Sequence, residues 1–390
     1  MPEANKHIHL LYIYPEITIK GGADKVIVGK ANYLATHGYQ VTIVTEAQMG
    51  RELSFSLDER VQHIDMGIDF NSQYHQHGLR RLKTYLTLIR RYKRKLASTL
   101  QMLHPDIVIT VMGRSIDFIT SIHDGSVKIG EAHCVKANVR SLNVMERKGP
   151  LHRLVAHFMR WRVNRKVSRL DAMVLLTQQD ADSWTEAKQT FVIPNAVPQI
   201  PERCSSLENK QVLMVARYND AKGYNYMVEA WQQVHERHPD WTLNVYGSGE
   251  LHDDVIRWIQ QHHLSNSMVL HEPVDHIMER YLQSSILVMS SRYEAFPMVL
   301  LEAMACGVPC VSFDTPHGPR NIIRDGEDGL LVEYLNPQAL ADGICRLIED
   351  VSLRKQLGAN ARRNIQRFSQ EAVMRQWMDL FDTLINQHRP

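Results

Sequence analysis

The chain has 390 residues, of which 44% are hydrophobic, 23% are charged and 7% are aromatic. This length is too great for one ordinary hydrophobic core, and the composition excludes a disordered or fibrous chain. The formal net charge is only +2, so no overall electrostatic field attracts nucleic acid.

Short buried strands and longer amphipathic helices alternate through the first half of the chain. Runs rich in Val, Ile and Leu predict strands over 9–14, 40–45, 106–111, 127–132 and 172–177. Helical periodicity covers 24–36 and 82–103 between them. Strands that alternate with helices of this length predict a parallel sheet with helices on both faces.

The second half of the chain repeats this alternation. Its predicted strands are 191–194, 212–216, 242–246, 268–271, 286–289, 309–313 and 330–332, and its predicted helices include 226–238, 253–262 and 337–349. More than ten strands in one sheet are unusual, so we expect two sheets. A polar stretch with several prolines near 195–210 marks the boundary. We assign 1–190 to the first domain, 191–368 to the second, and 369–390 to a C-terminal helix that we expect to pack against the first domain.

The segment 291–313 (SRYEAFPMVLLEAMACGVPCVSF) carries the most informative motif. Glu294 follows a buried strand, Pro297 occupies the expected first position of a helix, and Gly307 ends that helix. At the carboxyl edge of a parallel sheet, the free amides of such a helix bind phosphate. Glu294 and Glu302 are poor phosphate ligands but suit the hydroxyl groups of ribose and a sugar. A pair of surface acids is the alternative.

This segment resembles the E-x7-E signature of retaining glycosyltransferases of family 4 (glycosyl transferases group 1). The resemblance implies the α/β fold called GT-B-type, with two Rossmann-like domains, each a parallel sheet flanked by helices, that face each other across a cleft. It implies that Glu294 is catalytic and contacts the donor sugar, and that Phe296 contacts the donor sugar or the acceptor. The implied contacts to the donor nucleotide and diphosphate are Pro297, Met298, Val299 and Glu302.

A second stretch, 213–231, is similar to the strand–Arg–x4–Lys–Gly element of the same family. Arg217 and Lys222 follow a buried strand there, and the resemblance implies that both cations contact the donor diphosphate. Preplaced cations stabilise the negative charge that develops on a leaving nucleoside diphosphate. Taken alone, both residues are typical of solvated surface.

In the first domain the resemblance concerns two places. Gly21 and Gly22 lie between the first strand and the first helix, where glycine lets backbone amides approach a ligand, and family members have a similar pair near the donor phosphate and the acceptor. His133 follows the fourth predicted strand, and a histidine there faces the donor sugar in the family. Glu131 shares a strand face with His133 and either orients it or contacts the acceptor. A plain turn and a structural histidine are the alternatives.

Metal ligands are not grouped in a recognisable pattern. No D-x-D pair follows a strand, and the histidine pairs His75/His77 and His262/His263 lack further ligands. We therefore expect no metal and no cofactor, with a nucleotide diphosphate-sugar as the co-substrate. Arg217 and Lys222 would supply the positive charge.

Two segments of the first domain are strongly basic. The first contains Arg80, Arg81, Lys83, Arg90, Arg91, Lys93, Arg94 and Lys95, and the second contains Arg147, Lys148, Arg153, Arg160, Arg162, Arg165, Lys166 and Arg169. Apolar residues interleave the second set, which is typical of a helix on an anionic membrane surface. No nucleic-acid recognition module accompanies them, so we expect no nucleic-acid partner. Two solvated helices are the alternative.

The expected location follows from the cysteines and the N-terminus. The five cysteines lack a framework spacing, and the N-terminus lacks the pattern of a signal peptide. No apolar run is long enough to span a bilayer. We expect a cytoplasmic protein, peripheral on the cytoplasmic face of the membrane.

These features favour a retaining, metal-independent transferase that moves a hexose or N-acetylhexosamine. By similarity to bacterial surface-polysaccharide transferases we expect a UDP-linked donor and a polyprenyl-diphosphate-linked saccharide as the acceptor. The alternatives are a sugar-nucleotide epimerase of the same fold and a non-enzymatic membrane-surface binding protein. A dehydrogenase is disfavoured, since no G-x-G-x-x-G follows an early strand.

Overall fold

The computed structural model describes residues 8–18, 21–146 and 149–388, which form two compact α/β units. The N-terminal unit comprises Met1–Pro194 together with Met374–Pro390, and the C-terminal unit comprises Asn195–Val373. Each unit contains one parallel sheet with helices packed on it. The predicted fold class of two Rossmann-like domains is therefore confirmed.

The N-terminal unit has a seven-stranded sheet in the order β3-β2-β1-β4-β5-β6-β7. Its strands are β1 His9–Tyr14, β2 Gln40–Thr45, β3 Val61–Asp65, β4 Ile107–Val111, β5 Val127–Glu131, β6 Ala172–Leu175 and β7 Thr190–Val192. Its first five helices are α1 Gly22–Thr36, α2 Gly78–Leu103, α3 Leu142–Glu146, α4 Pro150–Val167 and α5 Gln178–Ser183. All positions of β1 are buried, because helices cover both faces of a parallel sheet.

The C-terminal unit has a six-stranded parallel sheet in the order β10-β9-β8-β11-β12-β13. Its strands are β8 Gln211–Val215, β9 Thr242–Tyr246, β10 Met268–His271, β11 Ile286–Met289, β12 Cys310–Phe313 and β13 Gly329–Val332. Its helices are α6 Tyr224–Arg237, α7 His252–Gln261, α8 Ile277–Leu282, α9 Met298–Ala305, α10 Pro319–Ile322, α11 Pro337–Glu349 and α12 Val351–Asn364. A core that includes Trp231 and Phe313 lies between the helices and the sheet.

The last helix, α13 Gln370–His388, lies mostly within the N-terminal unit. Trp377 and Phe381 of this helix are buried, and the Phe381 ring packs edge-on against Tyr39, with ring centroids 6.1 Å apart. The apolar residues of this C-terminal helix therefore pack on the N-terminal unit.

The structure differs from the sequence-based elements at three places. β3 was not predicted, because this edge strand alternates with polar residues and has no apolar run. α12 was not predicted either. The strand predicted over 191–194 was assigned to the second domain, which is wrong: β7 pairs with β6 in the first sheet. An apolar run shows that a strand exists but does not show which sheet it joins.

Among the residues that the structure describes, no helix is both long enough and apolar enough to cross a bilayer.

Candidate functional site

The strand order of the C-terminal sheet places two loops side by side. β8 and β11 are adjacent and parallel, although the chain runs outward from β8 to β10 before returning to β11. The loops after these two strands therefore leave the same edge at a topological switch point, where open parallel sheets bind ligands. Arg217 and Lys222 follow β8, and Glu294 and α9 follow β11. The structure brings these predicted site residues together in one unit.

The turn that carries Lys222 is fixed against the end of β11. Gly223 has a φ of +62°, and a Cβ placed on it would lie 2.2 Å from the carbonyl oxygen of Ser290. The Ser290 hydroxyl also donates to the Lys222 carbonyl at 2.9 Å, and the Arg292 amide donates to the Ala221 carbonyl at 2.8 Å. Only glycine satisfies both the left-handed backbone and the close approach. The Lys222 side chain is therefore presented from a well-defined backbone.

Lys222 and Glu294 form an ion pair. The Lys222 ammonium lies 2.5 Å from Oε1 of Glu294, and the two side chains are 20% and 13% exposed. The Ser291 hydroxyl donates to the same oxygen at 2.8 Å. A lysine ammonium has three N–H donors, so Lys222 can bind Glu294 and a further anion at once. The sequence predicted a role for each residue but not the contact between them.

The amino end of α9 offers backbone donors beside this pair. Pro297 precedes the helix in an extended conformation, and no side chain caps this end. Within the described chain the amides of Met298 and Val299 have no acceptor, since the first amide bonded is that of Leu300. Unpaired amides and the positive end of the helix dipole together attract an anion. The structure begins the helix at Met298, one residue after the predicted start.

Phe296 and Glu302 are predicted to contact the ligand, but both side chains are almost fully buried. The Phe296 side chain is 6% exposed and packs edge-on against Phe368, with ring centroids 5.4 Å apart. A sugar could therefore reach only its backbone. Glu302 is also 6% exposed, and its Oε2 accepts a hydrogen bond of 2.9 Å from the Tyr281 hydroxyl.

Tyr281, a buried residue that contacts Glu302, was missed by sequence analysis because a single tyrosine in a short helix has no distinguishing pattern. Burial, and then the Glu302 carboxylate, raise the pKa of Tyr281 well above its usual range. The hydroxyl therefore stays protonated and donates to Glu302 throughout the physiological range. It fixes one of the two carboxylate oxygens of Glu302.

Arg217 is exposed, and its guanidinium contacts no acid in the part of the chain that the structure describes. The backbone around it is held by the loop after β9. Cβ atoms on Gly247 and Gly249 would lie 1.9 Å from the Ala216 carbonyl oxygen and 2.5 Å from the Tyr218 carbonyl oxygen. Gly247 and Gly249 thus pack against the Arg217 loop, a close approach that larger residues would prevent.

In the N-terminal unit, the predicted residues lie after β1 and β5. Gly21 is the N-cap of α1 and Gly22 its first residue, and no side chain caps this end; the preceding Lys20 lies outside the described residues. His133 follows β5, and its Nε2 lies 3.2 Å from Oε1 of Glu131. Among the described residues Nε2 of His133 has no hydrogen-bond partner, so this contact is a close approach and not a hydrogen bond.

Glu131 is enclosed rather than open. Its side chain is 2% exposed, and the Lys30 ammonium lies 2.5 Å from its Oε1. Burial alone would raise the pKa of Glu131, but Lys30 and His133 together lower it to about 2. Burial lowers the pKa of Lys30, and Glu131 opposes this. The carboxylate is therefore ionised at neutral pH, and of its two predicted roles the geometry favours orienting His133.

Among the residues that the structure describes, one group of side chains has atoms close enough together to share a metal ion. His238, Cys345 and Glu349 offer ligand atoms within 4.8 Å of one another. Arg237 lies 3.1 Å from Glu349, and a guanidinium there competes with a cation. Burial raises the pKa of Cys345 to about 11, which keeps the thiol protonated. The described residues near Lys222 and Glu294 contain no such group.

Both basic segments are helical and largely exposed. In α2, seven of the eight predicted basic residues are exposed. In α4, Leu151, Leu154, Phe158 and Trp161 are 71%, 69%, 56% and 54% exposed, and the last two rings stack 5.8 Å apart. Arg147 and Lys148 lie outside the described residues. Four large apolar side chains exposed on one helix are unusual in a soluble surface and mark an interaction site.

Comparison with known proteins finds a family match within the C-terminal unit. Residues 200–364 match the family model described as glycosyl transferases group 1. Over 224 residues the chain is 36% identical to an exopolysaccharide phosphotransferase of Streptomyces coelicolor, covering 56% of this chain and 24% of that protein. It is 30% identical over 222 residues to the amylovoran biosynthesis glycosyltransferase AmsD of Erwinia amylovora, covering 54% of this chain and 62% of that protein.

An uncharacterised glycosyltransferase of Haemophilus influenzae is similar over nearly the whole chain, with 26% identity over 362 residues, 92% of this chain and 95% of that protein. Among solved structures, a sucrose-phosphate synthase from Thermosynechococcus elongatus superimposes with a TM-score of 0.78 at 19% identity, covering 97% of this chain and 100% of that chain. TarM of Staphylococcus aureus, crystallised with UDP, gives 0.74 at 16% identity, covering 97% and 100%. These likenesses establish the GT-B-type fold.

Proposed function

Residues 200–364 form a domain of the glycosyl transferases group 1 family, and from this premise we propose that the protein transfers a sugar from a UDP-sugar to a lipid-linked saccharide. The sugar would be a hexose or an N-acetylhexosamine. The observation that carries the proposal is the cationic notch of the C-terminal unit, defined by Arg217, Lys222 and the amides of Met298 and Val299. Glu294 lies at its edge.

The notch is suited to a diphosphate for electrostatic reasons. Two cations, and two amides that lack an acceptor among the described residues, lie in the loops at one sheet edge, and charge-assisted hydrogen bonds to phosphate are among the strongest in proteins. Because the leaving nucleoside diphosphate gains negative charge as the sugar departs, these groups bind the transition state more tightly than the ground state. They would also do the work that a metal ion does in other transferases, so we propose that activity does not require one.

The nearby carboxylates have different tasks in this proposal. Glu294 is paired with Lys222 and would accept hydrogen bonds from the hydroxyl groups of the donor sugar. Glu302, which accepts a hydrogen bond from Tyr281, would accept a hydrogen bond from the ribose. In the N-terminal unit, His133 would face the donor sugar, while Gly21 and Gly22 would offer backbone amides to the donor phosphate or the acceptor.

We propose retention of configuration by a front-face reaction. The bond between the anomeric carbon and the leaving phosphate breaks, and the bond to the acceptor oxygen forms on the same face. The acceptor proton passes to the leaving diphosphate, so no protein base is required. Proton nuclear magnetic resonance of the product would show the anomeric configuration of the donor.

The proposed acceptor and location rest on the exposed residues of α2 and α4 and on the similarity to polysaccharide transferases. AmsD is named for amylovoran biosynthesis, and a further relative, at 24% identity over 221 residues, is a poly(ribitol-phosphate) alpha-N-acetylglucosaminyltransferase of Staphylococcus aureus. The exposed basic and apolar residues of α2 and α4 suit an anionic membrane surface. We therefore propose a role in surface-polysaccharide synthesis, with a polyprenyl-diphosphate-linked acceptor and peripheral membrane binding.

Calorimetric titration with UDP-, GDP- and ADP-sugars, followed by an assay for nucleoside diphosphate release, tests the proposal. We expect saturable binding of a UDP-sugar, and release that accelerates with a lipid-linked saccharide and persists with a chelator. Interconversion of the sugar without an acceptor would identify an epimerase. Membrane binding without affinity for any nucleotide sugar would identify a non-enzymatic protein.

A further inference from the structure

A buried ion pair lies beside His133, in the N-terminal unit. The Lys30 ammonium of α1 and Oε1 of Glu131 are 2.5 Å apart, with side chains only 4% and 2% exposed. Removing two charges from water is costly, and replacing such a pair by apolar residues is often neutral or stabilising. Fold stability alone therefore does not account for a buried pair at this position.

Glu131 is shared between the lysine and the histidine. Its Oε1, bound by Lys30, also lies 3.2 Å from Nε2 of His133. Oε2 of Glu131 and Nε2 of His133 are both buried, and neither has a hydrogen-bond partner within the part of the chain that the structure describes. A buried unpaired acceptor and a buried unpaired nitrogen on neighbouring side chains are unusual. A hydrogen bond between His133 Nε2 and Glu131 would leave the other ring nitrogen, Nδ1, to face a ligand.

The C-terminal helix encloses the lysine. The Lys30 ammonium lies 3.8 Å from the centroid of the Trp377 ring of α13 and 5.4 Å from that of Tyr12. Trp377 is itself buried. An ammonium over an aromatic face is stabilised by the ring quadrupole, most strongly when water is excluded. Trp377 thus keeps the ammonium next to Glu131 rather than in solvent.

We propose that Lys30 and Glu131 are positioning residues that set the orientation and proton occupancy of His133, and that Trp377 holds Lys30 in place for this purpose. The inference rests on the proposed function, in which His133 faces the donor sugar. Glu131 alone would draw a proton onto the imidazole, and Lys30 opposes this by neutralising the carboxylate. Among the described residues, Tyr12 and Tyr14 of β1 also interact with Glu131, and burial raises the pKa of each tyrosine, so both stay neutral.

The proposal predicts opposite effects for the two partners. Glu131→Gln removes the negative charge beside His133, so the histidine should titrate at a lower pH than in wild type. Lys30→Met leaves that charge unneutralised, so it should titrate at a higher pH. Lys30→Arg should restore the wild-type midpoint.

The measurement is a pH titration of the full-length protein labelled with 13C-histidine, in which the loss of one signal in His133→Gln identifies His133. The double variant Lys30→Met/Glu131→Gln leaves no unpaired charge in the core and provides a foldable comparison should a single variant unfold. In this double variant His133 should titrate close to its wild-type midpoint, but kcat should fall at least about ten-fold. The affinity for UDP, which the C-terminal unit binds in this proposal, should change less than about two-fold.

The outcomes separate this inference from the proposed function. Midpoints that do not move in either single variant, or move the same way in both, would overturn the positioning role, as would a double variant with wild-type kcat. Wild-type protein that turns over no nucleotide sugar would instead overturn the proposed function, and the titration would still report the coupling.

Discussion

At the scale of single residues, the Lys222–Glu294 pair decides how a diphosphate is bound. The Gly223 turn fixes the backbone of Lys222, and the ammonium already donates one hydrogen bond to Glu294. A charged hydrogen bond contributes about 1.5–3 kcal/mol. Lys222→Ala should therefore weaken UDP binding by about ten- to 150-fold in calorimetric titration. Lys210→Ala removes an exposed lysine of the same unit, paired with Asp240, and should leave UDP affinity unchanged.

Glu294 should affect turnover and binding in opposite directions. Glu294→Gln keeps the shape of the side chain and can still accept a hydrogen bond from Ser291, but it removes a negative charge beside the diphosphate and releases Lys222. UDP affinity should stay the same or increase, while kcat falls by on the order of 100-fold. Steady-state kinetics together with calorimetry would measure both. A variant that loses UDP affinity and keeps its kcat would show that Glu294 binds the nucleotide instead.

Glu131 gives the N-terminal unit a predictable response to acid. Its pKa in the folded protein, about 2, lies below the ordinary value of 4.5. A lowered carboxyl pKa stabilises the fold fully above the unfolded-state pKa, and this stability is lost as the pH falls from there towards the folded-state pKa. The free energies of unfolding of wild type and Glu131→Gln, measured by thermal unfolding, should therefore differ most above about pH 4.5. The expected difference is roughly 3–5 kcal/mol, as for a broken buried ion pair.

Below pH 4.5 the difference between wild type and Glu131→Gln should shrink as the pH approaches 2. Glu52→Gln, at an exposed position of the same unit, provides the baseline for removing a carboxylate. A difference that is constant over this range would mean that Glu131 is not the ionised partner of Lys30.

At the scale of elements, α4 carries the exposed apolar face. Leu154→Ser/Phe158→Ser/Trp161→Ser should lower binding to phosphatidylglycerol-containing vesicles by at least about ten-fold in a sedimentation assay, because membrane affinity scales with buried apolar area. Val351 is a similarly exposed apolar residue of the C-terminal unit, so Val351→Ser is the control. Equal binding by both variants would show that α4 does not contact the membrane.

Elements also differ in how well the sequence predicts them. β1, β2 and β9–β11 were predicted at the bounds that the structure shows, because an apolar run between turn residues is specific for a buried strand. β3 was not predicted because most of its positions are polar. β7 was assigned to the wrong sheet because strand pairing depends on residues distant in sequence. Gly223 was recognisable from the Lys–Gly element, although the reason for a glycine there, its close approach to Ser290, required the structure.

The candidate site was predictable to a similar extent. Motif residues such as Lys222, Glu294 and Glu302 were identified from their spacing and resemblance. Their partners were not, since Tyr281, Lys30 and Trp377 are remote in sequence and have no local pattern. The burial of Phe296 and Glu131 was likewise hidden, because it depends on helices packed from elsewhere in the chain.

At the scale of the whole molecule, the two units divide the proposed reaction. The C-terminal unit would hold the nucleotide diphosphate, and the N-terminal unit would supply His133, the acceptor contacts and the membrane-facing helices. This division explains why variants of Lys222 and Glu131 should have separable effects on binding and turnover. All of it depends on the notch at the β8–β11 switch point binding the diphosphate.

A crystal structure of the full-length protein soaked with UDP tests that dependence most directly. We predict difference density for the diphosphate against the Met298 and Val299 amides, within hydrogen-bond distance of the Lys222 ammonium. Saturating UDP that leaves these amides without a ligand, or density for the diphosphate elsewhere on the protein, would contradict the account.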